Sequence, residues 1–312
     1  MGKYILKRLL MLIFVIIGVV ILVFTLLYFT KGDPARQILG PTADDAAVEA
    51  LREEMGLNDG YFVRLGRYLY NLFFKFDLGN SYRNHYPVMH EVLSRFPITM
   101  LIGGLGLIVS IIIGVLTGIV SAVKQYTLLD QICNFFAVIG ASMPQFWFGL
   151  ELSLLFALRW KLLPATGYST PAQLILPVAT LGISGAANFF RITRSSVLEV
   201  IRMDYIRTAR SKGQSEFKVI MHHALKNALI PIITTIGGRL GVVLAGSVLI
   251  ESIFAIPGVG SFMLTAISNR DYPNIQGGVL ILAVFISIIM LITDIIYAFV
   301  DPRIKSKFKN QK

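Results

Sequence analysis

Charge is scarce in this chain. Only 15% of its 312 residues are Asp, Glu, Lys or Arg, against 55% hydrophobic residues and a mean hydropathy of +0.68. Soluble domains carry roughly a quarter charged residues, so this balance excludes an ordinary water-soluble fold and leaves a polytopic membrane protein. Cysteine is nearly absent. The lone Cys133 excludes an intrachain disulfide framework and a thiolate metal cluster, and in its apolar run it reads as a small core residue. Histidine is almost as thin: His85 and His90 share no helical face, and the adjacent His222 and His223 point different ways, so they predict no metal site. No G-x-x-x-x-G-K-S/T loop occurs, which removes phosphate-loop ATP binding from this chain. The apolar runs also lack a serine–histidine pair, paired aspartates and an H-E-x-x-H helix, which argues against an intramembrane enzyme.

What the chain does have is long apolar runs: Leu9–Phe29, Thr99–Ala122, Ile132–Leu158, Gln173–Ile192, Leu229–Ile250 and Gly277–Val300. Each is close to the ~20 residues a helix needs to cross a bilayer. The first comes after Lys3, Lys7 and Arg8, is too long for a signal-peptide core, and lacks a small-x-small cleavage site before Thr30, so a retained span is expected. Residues 31–97 form the one sizeable segment outside the runs. In it Thr42 is expected to cap a helix through Ala46, Val48, Leu51 and Met55 that Gly56 stops. Tyr61 to Phe76 interleaves aromatics with Arg64, Arg67 and Lys75, the pattern of a helix lying among lipid headgroups. Such interleaving also suits base stacking, but beside a membrane span no nucleic-acid partner is expected.

The net charge of +11 sits next to the apolar runs. Six spans place both termini on one side, and the positive-inside rule makes that side cytoplasmic. The N-terminus, Lys124, the loop with Arg191, Arg194, Arg202, Arg207, Arg210, Lys212, Lys218 and Lys226, and a tail with Arg303, Lys305, Lys307, Lys309 and Lys312 fall there, while the short outer loops hold only Arg159, Lys161 and Arg270. The fold class expected is all-α integral membrane with six transmembrane helices. Its parts are a first span in 1–30, an external segment in 31–97, a five-helix domain in 98–303 containing a cytoplasmic loop at 195–231, and a basic tail in 304–312.

Three ionisable residues interrupt the runs: Glu151, Arg239 and Asp294. Each costs about 2.5–3.5 kcal/mol at mid-span and is expected to face protein or water. Arg239, near mid-span, either lines a solute path, where a peptide carboxylate would meet it, or is tied to backbone carbonyls or to Glu151. Ser247 and Glu251 on the same run are further pathway candidates, and Asp294 is read as a helix-packing group. Pro144 is expected to kink the third span. Pro257-Gly258-Val259-Gly260 ends the fifth. The residues beyond it form either an outer loop or a short helix folding back as an external gate built on Pro257, Gly258 and Gly260. Gly114 with Gly118, Gly182 with Gly185, and Gly237 with Gly241 have the spacing that lets helices approach closely in lipid.

The most informative stretch is Asp204 to Pro231, DYIRTARSKGQSEFKVIMHHALKNALIP, set between the fourth and fifth runs. Arg210 and Lys212 end one short helix, and Gly213 suits the left-handed position that stops it. Ser215 and Glu216 open a second, in which Phe217, Ile220, Met221, Ala224 and Leu225 are expected on one apolar face and Lys218, His222, His223 and Lys226 on the other. A hinged pair with one greasy and one cationic face, tethered at both ends to membrane, either lies on lipid headgroups or touches another protein.

The stretch resembles the Glu-Ala-Ala loop of ABC-importer permeases. With Gly213 on the family glycine, Arg207, Thr208 and Ala209 fall on Glu-Ala-Ala, and His223, Leu225 and Lys226 on the distal Ile-x-Leu-Pro. The glycine, one alanine and the leucine match, and four positions depart. The variant present here is similar to the B-type permease subunit of dipeptide and oligopeptide importers. So are Gly32-Asp33-Pro34, Asp77-Leu78-Gly79 with Ser81-Tyr82, Pro144 to Phe148, Leu163 to Tyr168, Pro257 to Gly260, Arg270 to Pro273 and Asp301-Pro302-Arg303, in order along nearly the whole chain. The resemblance implies a prokaryotic cytoplasmic-membrane subunit that pairs with a homologous second permease. It implies two cytoplasmic ATPases holding ATP and magnesium, none of it bound by this chain, and an external substrate-binding protein. It implies ATPase coupling through Asp204, Tyr205, Arg207, Thr208, Ala209, Arg210, Lys212, Gly213, Phe217 and Leu225. Alternatives are the same machine carrying nickel complexes or glutathione, and, from a different class, an ion-coupled secondary transporter.

Overall fold

The computed structural model describes residues 2–30 and 32–300. The tail at 304–312 with Asp301-Pro302-Arg303, and the side chain of Asp294, lie outside the described residues. Among the described residues the regular structure is helical, apart from one isolated bridge between Asn80 and Pro87. Backbone groups in lipid must be satisfied within their own segment, and helices achieve that. Among the described residues five helices are long and apolar enough to cross a membrane, and a sixth span is reached if a bent pair, Leu128–Ser142 with Gln145–Arg159, counts as one.

The chain forms two compact units, one of residues up to Thr99 with Pro257–Ile288, the other of Met100–Ile256 with residues from Ile289 on. In the first, α1 (Gly2–Phe29) is apolar all round and leaves Phe14, Leu22, Leu26 and Phe29 exposed, as a lipid-facing helix does. Three short helices come next, α2 (Pro34–Leu39), α3 (Asp45–Glu54) and α4 (Tyr61–Lys75). The Asp33 carboxylate caps α2 by accepting from Ala35 N at 3.0 Å, ahead of Pro34. Asp44, not Thr42, precedes α3, since Gly40-Pro41-Thr42 is spent on a turn. No residue of α4 is buried, and Tyr61 and Tyr68 pack their rings on Phe24 of α1.

Two motifs far apart in sequence meet in this unit. The buried Asp271 carboxylate accepts from Ser81 Oγ at 2.5 Å, Tyr82 N at 3.1 Å and Asn274 Nδ2 at 2.9 Å. It pins the loop after α4 to the start of α13 (Tyr272–Val300). Gly32 packs against the Arg270 guanidinium so closely that a Cβ would overlap it. A short helix, α12 (Val259–Ser268), follows in sequence after the fifth apolar run, and its Val259 N donates to Thr99 Oγ1 at 2.9 Å.

The second unit is organised on α8 (Pro171–Ile201), whose N-terminus carries a reciprocal capping box between Thr170 and Gln173. The glycines of α5 (Val88–Val123) lie against it: a Cβ on Gly114 would sit 2.5 Å from Phe189 Cβ, and one on Gly118 would sit 2.7 Å from Thr193 Cβ. Gly182 and Gly185 return the contact, facing Val109 and Ser110. The glycine pairs of α5 and α8 are therefore used within this chain. Leu107, Phe189 and Ile232 form a buried core joining α5, α8 and α11 (Leu225–Ile253).

Four boundaries differ from the apolar runs. Pro144 does more than kink the third span: α6 (Leu128–Ser142) and α7 (Gln145–Leu152, running on as a π-helix over Ser153–Arg159) are bent by 106°. α5 begins well before its apolar run, and α8 runs past Ile192 to Ile201, because polar termini extend a helix beyond the hydrocarbon without breaking its hydrogen bonds. The helix after Ser215 does not stop short of the fifth span but continues into it.

Candidate functional site

The loop between α8 and α11 is a tight hairpin. α9 (Asp204–Ser211) ends at Lys212, and Gly213 takes φ +74°, its N donating to Arg210 O at 2.9 Å. Nothing lies within 4 Å of where its Cβ would be, so the conformation, not crowding, requires glycine here. Beyond the turn, α10 (Glu216–Lys218) passes through a π-helical turn, Val219–Ala224, directly into α11. Ile206 and Ala209 of α9 pack on Val219, Ile220 and Ala224, with Ile119, Val200 and Ile201 closing the cluster. Side chains brace the turn: Arg210 Nε reaches Glu216 Oε1 at 2.7 Å, a His223 ring nitrogen meets Gln214 Oε1 at 2.7 Å, and Asn227 Nδ2 donates to Tyr205 Oη at 2.7 Å.

This packing redistributes the predicted residues. Ala209 faces inward at 7% exposure. Leu225 is half-buried, and Asp204, Tyr205, Arg207, Thr208, Arg210, Lys212 and Phe217 are exposed. The predicted apolar face is corrected at three positions. Phe217, 75% exposed, and Met221 turn outward, while Val219 turns in. The π turn holds an extra residue, so a stripe drawn at the α-helical period loses register there. The outer surface thus presents Tyr205, Phe217 and Met221 among Arg207, Lys212 and Lys218. Arg207 lies 4.0 Å from Asp204, both well solvated, a contact of little energy.

A buried polar cluster absent from the sequence-based expectations joins three helices beside this hairpin. The Asp130 carboxylate takes a two-pronged bond from Arg194, Nε and Nη2 each at 3.0 Å. It also accepts from Ser121 Oγ at 2.5 Å, Tyr126 N at 3.0 Å and Asn134 Nδ2 at 2.6 Å. Asp130 opens α6, Ser121 closes α5 and Arg194 sits on α8, so one carboxylate ties three helix segments together.

In the membrane-embedded part, Arg239 pairs with a side-chain amide and not with Glu151. Its Nε donates to Asn188 Oδ1 at 3.1 Å, and Glu151 is exposed on α7. Arg239 lines a cavity of about 260 Å³ with Gln145, Ser184, Asn188 and Arg191, beside the α6–α7 elbow. Ser247 and Glu251 are not brought to that cavity. Both are fully buried farther along α11, with Ser247 Oγ 3.3 Å from Glu251 Oε1. At the end of α11, Gly258 and Gly260 are buried and Pro257 is exposed where the chain turns into α12. Among the described residues no group of His, Cys, Asp and Glu is placed to hold a metal ion.

The pattern of the binding-protein-dependent transport system inner membrane component matches residues 114–306, and that of the N-terminal part of such components matches residues 1–103. The dipeptide transport system permease protein DppB of Alkalihalophilus pseudofirmus is 41% identical, over 98% of this chain and all of that protein. The DppB of Escherichia coli K12 is 35% identical over 98% of this chain and its own whole length. A putative peptide transport system permease of Brucella abortus is 38% identical over 98% of this chain and 99% of its own. Among solved structures, a chain of the MetNI methionine ABC transporter superposes with a TM-score of 0.58 over 68% of this chain and 97% of its own, at 16% identity, which is a likeness of fold alone. The chain therefore belongs to the family of binding-protein-dependent transport system inner membrane components, as a multi-pass membrane permease.

Proposed function

We propose that this chain is the peptide-carrying permease of an ATP-driven importer, paired with a homologous second permease, driven by two cytoplasmic ATPases and fed by an external binding protein. ATP and magnesium belong to the ATPases. The observation that carries the reading is the hairpin around Gly213: an internally packed element whose outer surface offers aromatic and cationic side chains, whose first arm joins α8 through a turn at Arg202-Met203 and whose second runs without a break into α11. Force applied to such an element moves α8 and α11 with it. Because α11 begins at the hairpin with no break, a displacement there needs no intervening loop to reach Arg239. Alternating exposure of a midplane path is the consequence of that lever. Arg239 is assigned to the path, and Pro257, Gly258 and Gly260, at the turn into α12, to its external gate.

The relatives named for dipeptide and peptide transport supply the cargo class. The reading is tested by reconstituting the complete complex in proteoliposomes with ATP inside and measuring uptake of labelled dialanine delivered by the binding protein. ATP-dependent accumulation is expected. Uptake by this chain without ATPases would overturn the proposal and favour an ion-coupled carrier.

A further inference from the structure

We infer that Arg191 and Arg239 form an oxyanion subsite on the translocation path, which receives the free terminal carboxylate of a short peptide. The inference rests on the peptide-permease reading above. Both guanidinium groups line the cavity at the α6–α7 elbow, and the lining includes, among the described residues, no carboxylate. Asn188 and Arg191 lie three residues apart on α8 and so share a face. Asn188 holds Arg239 through Nε at 3.1 Å, which fixes the second guanidinium against that same face. Gln145 and Ser184 add neutral hydrogen-bonding groups to the lining.

Among the described residues the lining offers these two guanidinium groups no carboxylate, and Arg239 interrupts an apolar run, where a cation persists only if a partner or water meets it. A mobile anion that arrives with the cargo satisfies both. Guanidinium is the group best matched to a planar carboxylate, because its fork donates two parallel bonds. The elbow at Pro144 is what makes room, since a 106° bend between α6 and α7 leaves a hollow where a straight span would fill the space. No acidic group in the lining meets the other, ammonium end of a dipeptide, so the carboxylate end alone is held there.

The experiment uses the complete reconstituted importer with dialanine and dialanine amide, each supplied at a concentration that saturates the binding protein. Wild-type complex is expected to move dialanine about tenfold faster than the amide, the size expected for losing a charge-assisted bond. Arg191→Gln with Arg239→Gln is expected to bring dialanine down to the amide rate and leave the half-saturating concentration of loaded binding protein unchanged. Arg239→Lys keeps the charge and is expected to keep most of the preference. If the double variant assembles poorly, Arg191→Gln alone and Arg239→Lys carry the same comparison. A double variant that still prefers dialanine, or one that slows both probes equally, overturns the subsite and leaves the peptide reading standing. A wild-type complex that moves no dialanine overturns both. A preference that disappears when anionic lipid is removed from the vesicles assigns the two arginines to lipid phosphate and overturns the subsite.

Discussion

Gly213 has space for a side chain but the wrong conformation for one, and this separates two explanations of its importance. At φ +74° an L-residue with a Cβ is strained by roughly 1–2 kcal/mol, more if β-branched, while asparagine tolerates the region. Gly213→Val is therefore expected to uncouple uptake severalfold with membrane yield unchanged, and Gly213→Asn to stay close to wild type; equal uptake by both variants would show that the left-handed turn is not what matters. The Asp130–Arg194 pair makes a second residue-scale case. Side-chain exposures of 6% and 25% put it well away from solvent, where removing one partner of a buried pair costs about 3–5 kcal/mol. Asp130→Ala is expected to lower the melting temperature in detergent markedly, and the neutral pair Asp130→Asn with Arg194→Gln to lower it less. A single variant melting with wild type would mean the cluster is not structural. The sequence could not announce this pair. Asp130 falls just ahead of an apolar run and Arg194 counts toward the cytoplasmic cations, and only the meeting of α5, α6 and α8 shows that each answers the other.

At the scale of elements, the hairpin was legible where local chemistry decides and illegible where register does. Glycine punctuation placed the turn at Gly213 and the helix start at Ser215 correctly, since both depend on a few neighbouring residues. Which side chains face the core depends on turns counted along a helix, and one π-helical turn over Val219–Ala224 shifted Phe217 and Val219. The same reasoning explains the third span. A proline in an apolar run signals a break, but whether the chain bends slightly or by 106° depends on what packs beside it. The outer surface of the hairpin sharpens the expectation for partner binding. Arg210 is engaged with Glu216, so reversing its charge disturbs the turn itself, whereas Arg207 and Lys212 are solvated and reach outward. Arg207→Glu with Lys212→Glu, and separately Phe217→Ala, are expected to lower the yield of ATPase co-purifying in detergent severalfold without changing the yield of permease. Unchanged co-purification in both would place the surface on lipid headgroups instead.

For the whole molecule, the proposal requires the hairpin and residues 31–97 to lie on opposite sides of the membrane. Charge asymmetry argues for that orientation: the hairpin carries Arg202, Arg207, Arg210, Lys212, Lys218 and Lys226, while the short turns of the opposite side carry Arg159, Lys161 and Arg270. The chain offers a direct way to test it, because Cys133 is its single thiol and is half-buried in an apolar pocket. Replacing it by serine gives a thiol-free background into which one exposed cysteine is placed at a time. Glu54→Cys, at the end of α3, is expected to react with a membrane-impermeant maleimide in intact cells. Lys212→Cys, at the tip of the hairpin, is expected to react only after permeabilisation. If Lys212→Cys labels in intact cells, the hairpin faces away from any cytoplasmic ATPase, and force cannot reach α8 and α11 through it. If both positions are protected until the membrane is opened, residues 31–97 cannot be the part that receives a loaded binding protein.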